Sequence, residues 1–173
     1  LADLAEGTPD ARYIDLFKVK YDYHNVKALL KAEAVGAAPD CMLMDMGRVS
    51  TVDLPEAVSS RELDGLPETL AAAVAEAREV LDTTRDPQLS DIVLDRWCYR
   101  DMAALAEETG SAFLRGYVAV QIDAVNLRTS VRTLRMGKGA DFLLGALLEG
   151  GDLAPDAVAK AAASGAAGLR ELY

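Results

Sequence analysis

The chain has 173 residues, 51% of them apolar, which suffices for one compact domain or two small ones. Its net charge of −10 disfavours nucleic acid as a general partner, because an acidic surface repels phosphate groups. Two cysteines, Cys41 and Cys98, exclude a disulfide scaffold, and both are predicted to be buried thiols. No stretch of the sequence reaches the ~18 apolar residues that a membrane-spanning helix needs.

The first half of the chain is predicted to begin with a long helix. Strong helix formers dominate it, and one apolar stripe at 3–4 spacing extends from about Arg12 to Val35, where Gly36 ends the helix. A short helical segment is predicted at 40–46. Another begins at Asp53, has a proline in its first turn, and is predicted to end at Gly65.

The second half continues the helical pattern, with capping residues and glycines at the predicted ends. The predicted helices cover, in order, residues 67–84, 86–108, 111–136, 141–149 and 155–164. No segment alternates apolar and polar residues with the period of a strand. The sequence therefore predicts an all-α fold. It begins at Leu1, and its final helical pattern reaches Tyr173, so we expect it to be a piece of a longer polypeptide.

The second long helix repeats the first at an offset of 101 residues. The matching polar residues are Asp22 with Asp123, Asn25 with Asn126, and Lys27 with Arg128. After one deleted residue, Pro55 matches Pro155 and Gly65 matches Gly165. Helix periodicity does not require such matches, so they predict a tandem pseudo-repeat, with chance likeness of two amphipathic helices as the alternative. The predicted units are 1–85 and 86–173, each a long helix plus short helices.

Each Asp-x-x-Asn pair lies on one helix face, next to the apolar stripe. A hard cation is a poor interpretation, because two oxygen atoms leave most of its coordination shell empty. The pattern favours a structural role, in which the Asp and Asn side chains satisfy backbone groups of a neighbouring helix end or loop. His24 is the only histidine, and we expect it to be hydrogen-bonded between helices or at the surface rather than catalytic.

Basic residues follow both pairs in rows of helical spacing, namely Lys27, Lys31, Arg128, Arg132 and Arg135. Such rows are usually solvated faces, and the alternative is that they bind acidic groups of the other repeat or of a partner subunit. Met42, Met44 and Met46 are predicted to fill gaps in the core, with an adaptable contact surface as the alternative. Trp97 is predicted to be a core residue.

The sequence contains none of the common signatures of phosphate-binding, dinucleotide-binding, metalloprotease or serine-hydrolase sites. With one histidine and two unpaired cysteines, a zinc site would depend mainly on carboxylates, which is uncommon. An enzyme, such as a carboxylate-metal hydrolase on a helical bundle, is therefore the weakest hypothesis.

The segment Phe17–Ala32, with its Tyr-Asp-Tyr-His-Asn core, resembles the hallmark segment of the C subunit of V-type and archaeal-type rotary ATPases, whose eukaryotic relative is the d subunit. The segment Gln121–Arg132 resembles the family's recurrent Ile-Asp-x-x-Asn-Leu pattern. The resemblance implies three similar helical units in a funnel, of which this chain covers roughly two.

The resemblance also implies a non-catalytic rotor adaptor with no catalytic, cofactor or metal residues. Members of the family link the membrane rotor ring to the central-stalk subunits at the cytoplasmic face, without a transmembrane segment, and transmit torque during ATP-coupled proton or sodium transport. The alternative hypothesis is an independent helical-repeat module that binds an unrelated protein.

Overall fold

The computed structural model describes residues 7–8, 10–37 and 42–173, and this part of the chain contains eight α-helices and no strand. The helices are α1 (Arg12–Val35), α2 (Asp53–Ser60), α3 (Glu68–Thr84), α4 (Pro87–Glu108), α5 (Ala112–Arg135), α6 (Ala140–Ala146), α7 (Pro155–Ala163) and α8 (Gly165–Leu172). The predicted all-α class is confirmed. None of the described helices is long and apolar enough to cross a membrane.

The helices form two compact units, Leu1–Gly110 and Ser111–Tyr173. This division lies later in the chain than the boundary after residue 85 that the pseudo-repeat predicts. The reason is packing, because α4 lies against both α1 and α3 and therefore belongs to the first unit. The pseudo-repeat units themselves stay a prediction.

Helix α1 is the centre of the first unit. Its apolar stripe is buried by α2, α3 and α4, as the 3–4 spacing of the sequence predicted. The buried members of the stripe are Leu16, Val19, Tyr23, Val26 and Leu30. Burial of such side chains contributes roughly 1.5–3 kcal/mol each, so this stripe is a main source of the unit's stability.

Helix α4 runs antiparallel to α1, and polar contacts fix this direction. Lys31 Nζ lies 2.5 Å from Asp91 Oδ2, and Lys27 Nζ lies 2.5 Å from Asp95 Oδ1. At the other end, Arg12 donates to the carbonyl of Glu108. The basic row of α1 therefore pairs with acidic residues of α4 instead of facing only solvent. Such partly exposed pairs contribute at most about 1 kcal/mol each, so they set register more than stability.

Capping residues fix three helix ends where the sequence placed them. Gly36 ends α1 with φ +65°, a conformation that favours glycine. The Asp86 carboxylate accepts a hydrogen bond from the Gln88 amide at the start of α4. Ser111 Oγ accepts one from the Leu114 amide at the start of α5.

Three predicted segments differ from the structure. Helix α2 ends at Ser60 rather than at Gly65, because Arg61 adopts φ +64° and closes the helix. Residues 42–46 form turns rather than a helix, and residues 40–41 of the predicted segment, Cys41 included, lie outside the described residues. Helix α6 ends at Ala146 because Leu147 is extended. The final helical pattern, which the sequence analysis extends to Tyr173, forms a separate helix, α8, from Gly165 to Leu172.

The second unit has a core of its own, formed where α6, α7 and α8 meet α5. Its buried apolar residues are Leu143, Leu147, Val158, Ala162 and Leu169. Leu127 and Val131 of α5 pack against this core and stay partly exposed. The apolar stripe of α5 is thus only partly covered, unlike the stripe of α1.

Candidate functional site: two loop anchors

Asn25 holds the loop that follows α1. Its amide nitrogen donates to the Met44 carbonyl at 2.9 Å, and its amide oxygen accepts from the Met44 N–H at 2.8 Å. The side chain is fully buried, so these two hydrogen bonds replace those that water would make. The N–H and carbonyl groups of Met44 are bonded to Asn25 and so are not available for the hydrogen bonds of a helix. This explains why residues 42–46 form turns.

Asp22, one turn earlier, holds the same loop at a second point. Its Oδ1 accepts from the Arg48 N–H at 2.8 Å and from the Val49 N–H at 3.1 Å. Its Oδ2 accepts from Arg48 Nε at 2.7 Å. A Cβ atom on Gly47 would lie 2.1 Å from Asp22 Oδ1, so only glycine permits this close approach.

The Arg48 guanidinium links this loop anchor to α4. Its Nη2 atom lies 2.7 Å from Asp101 Oδ2, and the Tyr23 hydroxyl donates to the same oxygen at 3.3 Å. Burial opposes ionisation of Arg48, but the hydrogen bonds that Arg48 donates to Asp101 and Asp22 outweigh burial and raise the pKa of Arg48. A charged arginine between two carboxylates therefore joins α1, its loop and α4.

Asn126 forms the same arrangement in the second unit. Its amide nitrogen donates to the Leu148 carbonyl at 2.9 Å, and its amide oxygen accepts from the Leu148 N–H at 2.8 Å. Asn126 and these bonds are buried. Holding Leu148 in this way draws the backbone out of helical geometry and ends α6 at Ala146.

Asp123 holds the loop of the second unit as Asp22 holds that of the first. Its carboxylate accepts from the N–H groups of Asp152 at 3.1 Å and Leu153 at 3.3 Å. A Cβ atom on Gly151 would lie 2.1 Å from Asp123 Oδ1. One difference is clear, because Asp152 stands where the first unit has Arg48, and Asp123 is partly exposed.

The two arrangements match residue by residue, with different offsets in helix and loop. The helical pairs differ by 101 positions. The loop residues differ by 104, as in Gly47 with Gly151. The offset of 104 also matches two pairs of buried residues, Leu54 with Val158 and Val58 with Ala162. It further matches Arg61 with Gly165, and both of these residues have a positive φ. The offset of 104 does not align Pro55 with Pro155, as the sequence comparison did. Pro55 is the third residue of α2 and Pro155 is the first residue of α7, so the two prolines occupy different positions in their helices.

Several members of these anchors were not singled out by the sequence, among them Gly47, Arg48, Asp101, Leu148 and Gly151. The sequence signal that could have revealed them is the match of Gly47 with Gly151. This match appears only when three extra residues are allowed in the second unit, so a comparison without gaps misses it. Lys27 pairs with Asp95. Arg128 is exposed and, within the described residues, pairs with no carboxylate. Lys27 and Arg128 are therefore not part of the anchors.

The arrangement is structural in its chemistry. The oxygens of Asp22, Asn25 and Asn126 already accept from backbone or arginine N–H groups, which leaves little capacity to bind a ligand. Among the residues that the structure describes, no three His, Cys, Asp or Glu side chains lie together as a metal site. His24 is exposed and its Nε2 lies 3.3 Å from the Met42 carbonyl.

Two predicted core assignments are wrong. Met42, Met44 and Met46 are 43–45% exposed, because Asn25 and Asp22 hold the backbone of this loop against α1 and leave these side chains outward. Trp97 is partly exposed, donates to Glu76 at 2.7 Å and lies against Arg100. Three exposed methionines give the loop a flexible apolar surface.

We expect the first unit to lose stability at alkaline pH. Burial, with the nearby charge of Asp101, raises the pKa of Tyr23, and burial with Asp95 raises the pKa of Cys98 to about 12. The unfolded chain loses these protons from about pH 9–10, so stability is full below that range and falls above it. Each group contributes a slope of up to about 1.4 kcal/mol per pH unit.

Urea unfolding followed by Trp97 fluorescence between pH 8 and pH 11 measures this slope. Tyr23→Phe removes one titrating group and is expected to make the pH dependence shallower, although it also removes a hydrogen bond at every pH. An unchanged slope in Tyr23→Phe would contradict the assignment.

Comparison with known proteins identifies the family. Residues 1–172 match the family model described as ATP synthase (C/AC39) subunit. The chain belongs to the ATP synthase (C/AC39) subunit family. This membership covers both units and both loop anchors.

Curated relatives of the family agree. The chain is 26% identical over 153 residues to the C subunit of a V-type sodium ATPase from Enterococcus hirae, which covers 88% of this chain and 47% of that protein. It is 29% identical over 175 residues to the C subunit of the V-type ATP synthase of two Thermus thermophilus strains, which covers 92% of this chain and 54% of each relative. The chain thus spans about half the length of these relatives.

Proposed function

We propose that this chain forms part of a non-catalytic subunit of a V/A-type rotary ATPase or ATP synthase. In this role it links the membrane rotor ring to the central stalk and transmits torque during ATP-coupled transport of protons or sodium ions. The observation that carries the proposal is the family match over residues 1–172, together with relatives named as the C subunits of such enzymes.

The packing of the first unit supports a mechanical role. The 24-residue helix α1 is packed against three other helices. It is tied to α4 by two ion pairs in its C-terminal part and by a hydrogen bond from Arg12 at its start. The loop after it is held at two points by buried side chains. Close-packed interiors deform little, so a unit built in this way passes an applied force on instead of absorbing it.

The proposed partners are the rotor-ring subunits on one side and the central-stalk subunits on the other. The protein would be peripheral, at the cytoplasmic face of the membrane sector. The acidic charge of −10 fits contact with proteins better than adsorption on anionic lipid. A tandem pseudo-repeat, of which the two loop anchors would be equivalent parts, is proposed as the internal organisation.

Affinity purification of the protein that carries this chain, from gently solubilised membranes, tests the role. We expect both the rotor-ring subunits and the central-stalk subunits to co-purify, and we expect re-addition of the protein to depleted membranes to restore ATP-driven ion transport. An acidic helical protein with the same tag controls for charge-driven retention, which raised salt removes.

The same experiment separates the alternatives. Recovery of neither the ring nor the stalk would reject the proposal, and a single unrelated partner in their place would favour a helical-repeat binding module. Full ion transport by membranes that lack the protein would also reject it.

A further inference from the structure

Three of the five methionines of the chain lie close together on the loop that follows α1. Met42 is 43% exposed, Met44 is 44% exposed and Met46 is 45% exposed, whereas Met102 of α4 is fully buried. The exposure of a methionine decides how readily an oxidant reaches its thioether sulfur. This short loop therefore brings three accessible thioethers together at one place on the first unit.

Backbone hydrogen bonds hold this loop in place. The N–H and carbonyl groups of Met44 are bonded to the Asn25 side chain, and the N–H groups of Arg48 and Val49 are bonded to Asp22. Oxidation of a buried methionine disrupts a core, because it places a polar oxygen among apolar groups. The loop methionines are exposed, so water can solvate the new oxygen while the hydrogen bonds to Asn25 and Asp22 stay intact.

The charges near the methionines determine what oxidation changes. Asp45 is exposed between Met44 and Met46, and Asp53 and Glu56 are exposed in the first turn of α2. Residues 32–60 contain one basic residue, Arg48, which is held between two buried carboxylates. The methionines thus supply apolar contact area among exposed acidic groups. Three sulfoxides in their place would make this surface polar.

We propose that Met42, Met44 and Met46 form a site of reversible oxidation. A peroxide converts each thioether to a sulfoxide, and the loop changes from a partly apolar to a polar surface while the first unit stays folded. This inference does not depend on the proposed rotary role, since it uses only the exposure of the methionines and the hydrogen bonds of their loop.

The chemistry of the step is a two-electron oxidation of sulfur. A lone pair of the sulfur attacks one oxygen of hydrogen peroxide, the O–O bond breaks, and an S=O bond forms. The other oxygen leaves as water with both hydrogens, so the peroxide gains the two electrons that the sulfur loses. Methionine sulfoxide reductases reverse the step with thiols as the reductant, which returns the thioether and gives a disulfide and water.

Peroxide treatment of the full-length protein that carries this chain tests the site. The protein has a Cys41→Ser background, and mass spectrometry of its peptides follows each methionine over time. We expect Met42, Met44 and Met46 to be oxidised at least about tenfold faster than Met102, because oxidation follows exposure. Methionine sulfoxide reductases with a thiol should restore all three. The thermal unfolding midpoint should fall by less than about 2 °C when these three are oxidised, as for surface substitutions.

Leucine variants test the change of surface. The triple variant Met42→Leu, Met44→Leu and Met46→Leu keeps apolar side chains of similar volume but removes the thioethers. Retention on a phenyl column measures the exposed apolar surface, and peroxide should make the parent protein elute earlier. The triple variant should keep its retention. Met136→Leu, which removes a methionine of the second unit that is 45% exposed, is the matched control and should respond as the parent does.

Three results would overturn the proposal. The first is oxidation of the loop methionines no faster than that of Met102. The second is unfolding of the protein before the loop methionines are oxidised, which would mean that oxidation acts on the unfolded chain. The third is an equal loss of retention in the parent protein and in the triple leucine variant, which would place the change of surface elsewhere.

Discussion

Replacing Asp22 with alanine is expected to destabilise the first unit by about 3–5 kcal/mol, the usual cost of removing one partner of a buried ion pair. The substitution leaves the N–H groups of Arg48 and Val49 without their acceptor and removes one of the two carboxylates around the Arg48 guanidinium. Since whole domains are stable by about 5–15 kcal/mol, this is a large share of the total.

Urea unfolding followed by Trp97 fluorescence measures the effect, because Trp97 is the only tryptophan and belongs to the first unit. Asp123→Ala is the matched control. It removes two backbone hydrogen bonds from a partly exposed carboxylate that binds no arginine among the described residues. We expect it to cost about 1–2 kcal/mol, read from circular dichroism. If Asp22→Ala cost no more than Asp123→Ala, the Arg48 network would not contribute as described.

Gly47→Ala is expected to destabilise the first unit by about 2–4 kcal/mol, combining overpacking with broken hydrogen bonds. The new Cβ atom would lie 2.1 Å from Asp22 Oδ1 and 3.2 Å from its Cγ, so either the carboxylate rotates or the loop lifts away from α1. Both responses break the bonds to the N–H groups of Arg48 and Val49. Trp97 fluorescence during urea unfolding again gives the measurement.

Two variants show whether the clash with Asp22 is the cause. Gly65→Ala has nothing within 4 Å of its new Cβ atom and should change stability by less than about 0.5 kcal/mol. In the double variant Asp22→Ala with Gly47→Ala, the obstructing carboxylate is gone, so the double variant should be about as stable as Asp22→Ala alone. Additive losses would mean that Gly47 is needed for some other reason.

The sequence by itself determined the class of the fold and most of its helices. The apolar stripe from Leu16 to Leu30, the cap at Asp86 and the stop at Gly36 are local signals, each produced by neighbouring residues along one helix. Such signals can be read without knowledge of the tertiary fold. For this reason the observed bounds of α1, α3, α4 and α5 are close to the predicted ones. The matched pairs Asp22 with Asn25 and Asp123 with Asn126 were visible for the same reason.

Only the tertiary structure decided what those pairs hold. Asn25 binds backbone groups 19 residues further along the chain, and Asp22 binds backbone amides 26 and 27 residues further along. A backbone amide leaves no trace in the side-chain pattern of the sequence. The sequence did not reveal Gly47 and Gly151 as anchor residues. Each matters because it lacks a Cβ atom, which would collide with the carboxylate of Asp22 or Asp123. Whether the apolar stripes of α1 and α5 are covered depends on the other helices that pack against them. The two stripes have similar sequences but differ in burial, since Val19 is buried and the corresponding Val120 is exposed.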